Sequence, residues 1–358
     1  ASTLIRKTVE LGGDKPMVTI ALLNIVTAII FTAMTGAGPV IAIGVIVLPI
    51  MMSLGVPKAI AMFSFMESVA AGIYLNPVNF AQYRAFFIDV DEMPNFTLGW
   101  YAGKWGYAAL IISVVVTTIL AGFFLKKSKT SHAWAAQTRG ASEQKDAPLY
   151  TLILPIVPVV LKIWLDFSVI GGFVIAGFAA LFLCGKMKGS FKENCQLVNK
   201  LYYDGVVDTA PLVGFLLTLP MFNTCASYAS PYFKEVLGGI MPTNEYVVCA
   251  LFAALSILGF FRGPLTLYGC GAATLGVLSA VGHFSVPFLF CVFTIPATTV
   301  NVGSCITQSW IAWGLAYTKV ESRDYLKLSI PFAYICSILL YILTAFTVTG
   351  LGPEWFLS

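Results

Sequence analysis

The chain has 358 residues, of which 58% are hydrophobic and only 11% are charged, and its mean hydropathy is +0.86. Soluble domains carry roughly a quarter charged residues, so this composition excludes a water-soluble globular protein and predicts a membrane protein. The net charge of +4 comes from loops, where it reports orientation in the membrane rather than nucleic-acid binding.

Several stretches reach the length that a membrane crossing requires. A spanning helix needs about 20 largely apolar residues, and lipid forces every backbone group to be satisfied inside its own segment. The sequence therefore predicts an all-α polytopic protein of the cell inner (plasma) membrane. The nine candidate segments are residues 17–34, 40–54, 59–75, 106–125, 149–165, 169–184, 246–261, 286–300 and 328–349.

One apolar stretch, residues 211–222, is too short to span, and it follows a polar stretch at residues 186–208 that is typical of an interfacial helix. A short apolar segment that enters and leaves on one side is a re-entrant hairpin. We therefore expect a hairpin here, with a short buried helix as the alternative.

The chain also repeats itself at an offset of 226 to 228 residues. The matching pairs include Gly36 and Gly263, Gly44 and Gly271, Leu48 and Leu275, and Gln82 and Gln308. Two copies of one apolar unit, each interrupted by glycine and proline at matching places, are typical of a secondary transporter.

Loop charges predict the orientation of the two copies. The basic loops at residues 126–148, 186–192 and 319–327 belong in the cytoplasm, while the acidic run at residues 89–92 places its loop outside. Matching loops of the two copies then face opposite sides, so the repeats are inverted. Residues 147–228 have no counterpart in the first copy, and we expect the first repeat to lack its N-terminal half.

These inferences predict a domain organisation. Residues 1–125 form the C-terminal half of the first repeat, residues 126–148 a cytoplasmic basic linker, and residues 149–358 the second repeat. Within the second repeat we expect scaffold helices at 149–185, an interfacial helix and hairpin at 186–224, and transport helices at 229–350.

Glycine and proline also mark a break in each copy, at residues 35–39 and 262–266. A discontinuous helix exposes backbone groups to a ligand, whereas a plain turn between two helices is the alternative. Gly36, Gly38 and Gly263 are therefore candidate substrate-binding positions, because half-helix N-termini attract anions. We expect the two breaks to approach each other near the middle of the membrane.

Two stretches resemble a known group of carriers. "TGAGPVIAIGVIVLPIMMSLGVPKA" and "GSCITQSWIAWGLAYTKVESRDYL" are similar to the carboxylate carriers of the ion-transporter superfamily. These include gluconate:proton symporters, citrate symporters and C4-dicarboxylate carriers. The resemblance implies a scaffold domain and a moving transport domain, a homodimer, and an elevator-type motion.

Arg262 and Glu67 are the charges that stand out in apolar surroundings. Arg262 lies at the predicted second break, where a guanidinium can hold a carboxylate through two hydrogen bonds; a snorkelling interfacial arginine is the alternative. Glu67 lies in the middle of an apolar segment, where charges are costly and usually functional. It suits a carrier of H+, a ligand of Na+, or one half of a structural ion pair.

Two polar clusters follow apolar segments at matching places in the copies. Neutral amides and hydroxyls bind carboxylates without a heavy desolvation cost, although helix capping explains such residues equally well. The cluster members are Asn76, Asn79, Gln82 and Arg84 in the first copy, and Asn301, Ser304, Thr307 and Gln308 in the second.

The sequence thus predicts a secondary active transporter of an organic anion such as gluconate, citrate or a dicarboxylate, driven by an H+ or Na+ gradient. A cation/proton antiporter is the alternative, although it would normally need more buried acids. We expect no enzymatic activity, no cofactor and no metal site, since no cluster of histidine, cysteine or acidic residues stands out.

Overall fold

The computed structural model describes residues 16–87, 95–128, 157–165, 167–237, 242–281 and 284–351, together with residues 151, 153 and 154. Regular structure in this part of the chain is helical, which confirms the all-α class. Residues 129–148 of the predicted basic linker lie outside the described residues, and so does the acidic run at residues 89–92.

The helices of the first half are α1 (Pro16–Ala33), α2 (Ala37–Ser53), α3 (Lys58–Ile73), α4 (Pro77–Arg84) and α5 (Leu98–Lys127, with a π-helical turn at Ala102–Gly106). The second half contains α6 (Val157–Leu165), α7 (Val169–Leu183), α8 (Phe191–Leu237), α9 (Glu245–Ala254), a 3-10 helix (Ser256–Arg262), α10 (Gly271–Val281), α11 (Val286–Ile295), a π-helix (Pro296–Ser304), α12 (Ser309–Thr318) and α13 (Ser322–Thr347).

Membrane-length helices are present in both halves. By length and composition, four described stretches can cross a membrane: Pro16–Ala33, Leu98–Lys127, Val286–Thr318 and Ser322–Thr347. Two bent pairs raise the number to six if each pair is one span, namely α3 with α4 at 67° and α9 with the 3-10 helix at 64°. The predicted segments at 40–54 and 169–184 correspond to apolar helices that are shorter than a full crossing. Several of the nine candidate segments are therefore bent or shorter than a full crossing.

Helix α3 forms the centre of the molecule. Its residues from Ile60 to Ile73 are buried, and it packs against α1, α2, α5, α13 and the π-helix. A close backbone approach to α1 depends on Gly72, because a Cβ atom there would overlap the carbonyl oxygen of Ala28. Hydrogen bonds from Ser64 to Asn24 (2.7 Å) and from Asn24 to Thr118 (3.1 Å) join α3, α1 and α5.

The first break is shorter than predicted. Helix α1 ends at Ala33 and α2 begins at Ala37, so Gly38 and Pro39 lie in the first turn of α2 rather than in a non-helical segment. The turn depends on Gly36, whose φ of 98° is accessible mainly to glycine. Pro39 is compatible with this position because the first helical turn does not need its missing N–H group.

The second break is longer than predicted. The chain leaves helical geometry at Phe260 (ψ 155°), and Phe261 and Arg262 follow with φ values of 55° and 58°. Helix α10 begins only at Gly271. The prediction of a broken helix is confirmed here, and non-helical backbone covers residues 260–270 instead of 262–266.

The predicted re-entrant hairpin at residues 211–222 is wrong. Helix α8 runs without interruption from Phe191 to Leu237, through Pro211, Gly214 and Pro220. A proline removes one backbone donor and bends a helix, but reversing the chain requires several consecutive residues outside helical geometry. The helix breakers of this segment are too far apart to produce such a run.

A third bend separates α3 from α4 and is organised by Asn76, which is fully buried. The Asn76 Oδ1 atom accepts hydrogen bonds from the backbone N–H groups of Val78 (3.0 Å) and Asn79 (3.2 Å), which caps α4. Its Nδ2 atom donates to the carbonyl oxygens of Phe31 and Met34, both at 3.1 Å, which terminates α1. One amide therefore joins two helix ends.

This geometry predicts that Asn76→Ala destabilises the protein without changing substrate affinity. Losing the cap alone costs about 1 kcal/mol, and unpaired buried carbonyl groups add to that. Thermal unfolding of the purified protein in detergent should show a lower Tm, whereas the exposed control Asn199→Ala should unfold like the wild type. A normal Tm combined with a raised half-saturation constant would instead identify Asn76 as a substrate ligand.

Candidate functional site

The π-helix Pro296–Ser304 is the element around which the polar interior is arranged. All nine of its residues are buried, and it packs against α3, α13 and the 3-10 helix. Thr299 is hydrogen-bonded to the Tyr74 hydroxyl, and Thr298 to the Tyr83 hydroxyl (2.9 Å). Rare π-helical segments occur frequently at functional sites. Two hydroxyl pairs thus connect this segment to the α3–α4 bend.

The carbonyl groups at the end of the π-helix are satisfied by side chains. Val302 O accepts from Trp310 Nε1 (3.0 Å), Gly303 O from the Tyr325 hydroxyl, and Ser304 O from Ser329 Oγ (3.2 Å). A helix end leaves carbonyl oxygens unpaired, and burial makes such groups costly. Because side chains of α12 and α13 supply the donors, they hold this helix end in one conformation.

Glu67 contacts this same helix end. The side chain is fully buried on α3, and its Oε1 atom accepts a hydrogen bond from Ser304 Oγ at 2.8 Å. Among the described residues, its Oε2 atom has no hydrogen-bond partner. In the part of the chain that the structure describes, no basic side chain forms an ion pair with Glu67. The structural ion pair considered from the sequence is therefore not formed by these residues.

Gly303 makes the room that the Glu67 carboxyl group occupies. A Cβ atom at position 303 would overlap Glu67 Oε2 and would lie 2.9 Å from the Cβ atom of Ala70. A larger residue would have to displace the carboxyl group or separate α3 from the π-helix. The absence of a side chain at this position thus permits the contact between Glu67 and Ser304.

Arg262 lies at the second break, between neutral acceptors. Its guanidinium group donates to the carbonyl oxygen of Tyr268 (3.1 Å) and to Gln308 Oε1 (3.4 Å), and the residue is partly exposed. Within the described ranges no carboxylate pairs with it. The guanidinium group is thus held in place by two weak neutral contacts and keeps donors for an anion.

Tyr268 brings a residue of the first half to the same place. Its hydroxyl donates to Gln82 Oε1 at 3.0 Å, and its ring packs against Tyr83 with centroids 5.6 Å apart. Gln82 and Gln308, which occupy matching places in the two copies, therefore both contact the loop that contains Arg262 and Tyr268.

The segment that follows the π-helix connects Glu67 to the second break. Ser304 binds Glu67, Cys305 Sγ accepts from the backbone N–H of Phe261 (3.1 Å), and Gln308 binds Arg262. Gln308 is also the N-cap residue of α12, and its side chain forms no capping bond with that helix. The first N–H groups of α12 therefore begin beside Arg262, which makes this corner electropositive.

The predicted site residues fall into three sets. Arg262, Gln82 and Gln308 come together around Tyr268, and Ser304 binds Glu67. Asn76 is a helix cap, whereas Thr307 is exposed and contacts Cys305 at 3.0 Å. The others lack such contacts: Gly36 faces open space, Gly38 lies in α2, Gly263 packs tightly on the backbone of Leu258 and Phe260, and Asn79 and Asn301 are buried with unpaired side-chain atoms.

Sequence reasoning missed the hydroxyl groups. Tyr74, Tyr83 and Tyr268 lie in or beside apolar segments, where tyrosine is commonly an interfacial residue. The partners of Tyr74 and Tyr83 are Thr299 and Thr298, which lie more than 200 residues away along the chain. The adjacent threonines in a strongly apolar segment were the available signal.

The family model of the C4-dicarboxylate anaerobic carriers, DcuC, matches residues 2–190, which are more than half of the chain. No curated protein and no solved structure matches the chain. The matched part includes Glu67 and Gln82, while Arg262 and the π-helix lie beyond it. The match agrees with the carboxylate carriers expected from the sequence, and it favours them over a cation/proton antiporter. The chain belongs to the DcuC family of C4-dicarboxylate anaerobic carriers and is a multi-pass membrane transporter, not an enzyme.

Proposed function

We propose that this chain is a secondary active transporter that moves a C4-dicarboxylate by alternating access and binds one substrate carboxylate at Arg262. The observation that carries the proposal is a guanidinium group at a helix break, with neutral contacts and with no carboxylate partner among the described residues. An arginine within an apolar membrane segment is costly and usually functional. A carboxylate can form two parallel hydrogen bonds with it.

The surroundings of Arg262 suit the rest of such a substrate. The N-terminus of α12 and the amide of Gln308 add donors beside Arg262, and the same loop carries Tyr268, whose hydroxyl contacts Gln82. Neutral donors bind an anion without burying further charge. The second carboxylate of a C4-dicarboxylate lies only a few bonds from the first, so it can remain within this cluster.

We propose further that Glu67 carries the driving proton. The carboxyl group is fully buried, has one hydroxyl partner, and has no cationic partner in the described part of the chain. Burial away from water disfavours the charged form of a carboxyl group. A neutral Glu67 is therefore compatible with this conformation, and release of the proton requires another conformation or another partner. Coupling to Na+ is the competing outcome.

The architecture that we propose for this activity consists of two inverted repeats and a homodimer with elevator-type motion. Helices α1, α3 and α5 pack together in the first half, and α9, α11 with the π-helix, and α13 do so in the second. The breaks at Gly36 and Gly263 also fall at matching places. Light scattering of the detergent-solubilised protein would test the dimer, which a monomeric mass would rule out.

The inverted arrangement predicts opposite accessibility of matching loops. Asn95 and Ser322 are exposed, are 227 residues apart, and occupy equivalent places in the two copies. In a cysteine-free background, a cysteine at position 95 should react with a membrane-impermeant maleimide applied outside, and one at position 322 only after the membrane is opened. Labelling of both from the same side would contradict inverted repeats.

Arg262→Ala and Arg262→Gln should raise the half-saturation constant for succinate or fumarate sharply. Losing one partner of a desolvated charge pair costs about 2–5 kcal/mol, roughly a thirtyfold or greater loss of affinity. Arg262→Lys should recover only part of the affinity. Lysine keeps the positive charge but lacks the planar guanidinium group that binds a carboxylate through two parallel hydrogen bonds. Uptake into proteoliposomes measures this, with exposed Arg323→Ala as the control. Unchanged constants in all three variants would leave Arg262 as an interface anchor.

Glu67→Gln should abolish accumulation against a gradient while leaving exchange of dicarboxylate, because the amide mimics the neutral acid. Proton-coupled uptake by the wild type should increase as the outside pH falls, and this dependence should flatten in the variant. Exposed Glu321→Gln is the matched control and should behave like the wild type. A wild-type pH profile in Glu67→Gln, or uptake that follows Na+ and ignores pH, would refute the assignment.

A further inference from the structure

We propose that residues Gly303 to Gln308 are the physical link through which protonation of Glu67 and binding of the dicarboxylate at Arg262 affect each other. The inference rests on the proposed function, and it assigns a positioning role to Gly303 and Cys305. Neither residue needs to touch the proton or the substrate. Their role is to hold the contacts at the two ends of the link.

The link begins at the carboxyl group. Glu67 Oε1 accepts from Ser304 Oγ, and Glu67 Oε2 occupies the space that Gly303 leaves free. The hydroxyl of Ser304 can donate to either form of the carboxyl group, but ionisation adds a negative charge against the backbone at Gly303. Oε2 has no hydrogen-bond partner among the described residues, so ionisation favours separating the carboxyl group from the helix end.

The helix end cannot move alone. Tyr325 and Ser329 of α13 donate to the carbonyl oxygens of Gly303 and Ser304, so a displacement of these residues breaks hydrogen bonds or moves α13 as well. Tightly packed elements respond by switching between discrete arrangements rather than by small continuous deformation. The protonation state of Glu67 can therefore bias a conformational equilibrium of this segment.

The link ends at the substrate site. Cys305 Sγ accepts a hydrogen bond from the backbone N–H of Phe261, the residue that precedes Arg262. Three residues later, Gln308 Oε1 contacts the guanidinium group. Phe261 and Arg262 both have positive φ values, a conformation that is uncommon outside glycine and persists only when the surroundings enforce it. Cys305 and Gln308 are part of those surroundings.

Other titratable groups near Glu67 are limited. Within the described residues, Tyr325 and Cys336 of α13 interact with it electrostatically. Helices α1 and α2 and the π-helix, which pack against α3, contain no titratable residue. The titratable residues of the remaining neighbours, α5 and α12, are Tyr101, Lys104, Tyr107, Lys126, Lys127 and Tyr317. Tyrosine and cysteine stay neutral over the working pH range of a carrier, so Glu67 is the group whose charge changes there.

Binding coupled through such a link must be reciprocal. If protonation of Glu67 strengthens dicarboxylate binding by some factor, bound dicarboxylate favours protonation by the same factor. Couplings of this kind typically correspond to about 5-fold to 150-fold changes in affinity. The measurable quantity is therefore the ratio of half-saturation constants at alkaline and acidic pH.

The test measures succinate exchange in proteoliposomes across a pH series for the wild type, Glu67→Gln, Gly303→Ala and Cys305→Ala. We expect the half-saturation constant of the wild type to change about 5-fold or more with pH. It should change less than about twofold in all three variants. Cys305→Ser, which retains an acceptor for the Phe261 N–H, should restore part of the pH dependence. Combining Cys305→Ala with Glu67→Gln should add nothing to the loss of pH dependence.

Gly259→Ala is the matched control for Gly303→Ala. Its Cβ atom would press on the same π-helix from the 3-10 helix, 3.2 Å from Pro296 and 3.4 Å from Val300, on a side that does not touch Glu67. This variant should keep the pH dependence even if the exchange rate falls. If Gly259→Ala loses pH dependence as Gly303→Ala does, general disturbance of the π-helix explains both effects and the link is refuted.

The outcomes separate the two proposals. A wild type that does not exchange dicarboxylates refutes the proposed function and the link with it. The role of Glu67 is refuted if the half-saturation constant of the wild type does not change with pH, or if that of Glu67→Gln still does. A normal pH dependence in Gly303→Ala and Cys305→Ala, with a flat profile in Glu67→Gln, refutes the link alone.

Discussion

A broken helix inside a membrane has no water to satisfy its free backbone groups, and this constraint governs the polar interior of the carrier. Side chains satisfy such groups at the helix ends described above, and several of them come from distant positions in the sequence. Asn76 serves the ends of α1 and α4, while Trp310, Tyr325 and Ser329 serve the end of the π-helix. Because these donors belong to different helices, the breaks cannot change shape independently.

The same constraint explains why the buried polar residues are concentrated at helix ends and helix breaks. Glu67 is accommodated where a glycine and a serine end the π-helix, and Arg262 is accommodated where the second break supplies a carbonyl oxygen. A straight helix offers neither a free carbonyl group nor space beside its backbone. Costly charged side chains are therefore found at the places where the backbone is already irregular.

Much of this organisation was predictable because it depends on local chemistry. Neighbouring glycine and proline residues at 36–39 and 263–264 predicted both breaks, and the apolar composition predicted the helices. The boundaries were less predictable. Pro39 fits the first turn of α2, whereas Phe261 adopts positive φ values without being glycine, so one break is shorter and the other longer than the residue types indicate.

The errors have equally specific causes. Residues 211–222 contain the same helix breakers as the true breaks, but single prolines and glycines separated by helical turns leave α8 continuous. Asn76 precedes a proline at the first position of α4, a pattern typical of a helix cap, and capping was the alternative to substrate binding at this residue. The pairs that join Tyr74 to Thr299 and Tyr83 to Thr298 link distant parts of the chain, and no local pattern reports them.

The π-helix has an evolutionary consequence. A π-helical segment holds one residue more than the α-helical turns it replaces, so it corresponds to an insertion whose register was kept. Deleting one residue between positions 296 and 300 would allow an ordinary α-helix and would leave the register of the residues after it unchanged. Ser304 and Gln308 would then stay beside Glu67 and Arg262, and the change would fall on the residues inside the present π-helix. Homologous carriers that lack this extra residue would need other contacts in place of the hydroxyl pairs that join Thr299 to Tyr74 and Thr298 to Tyr83.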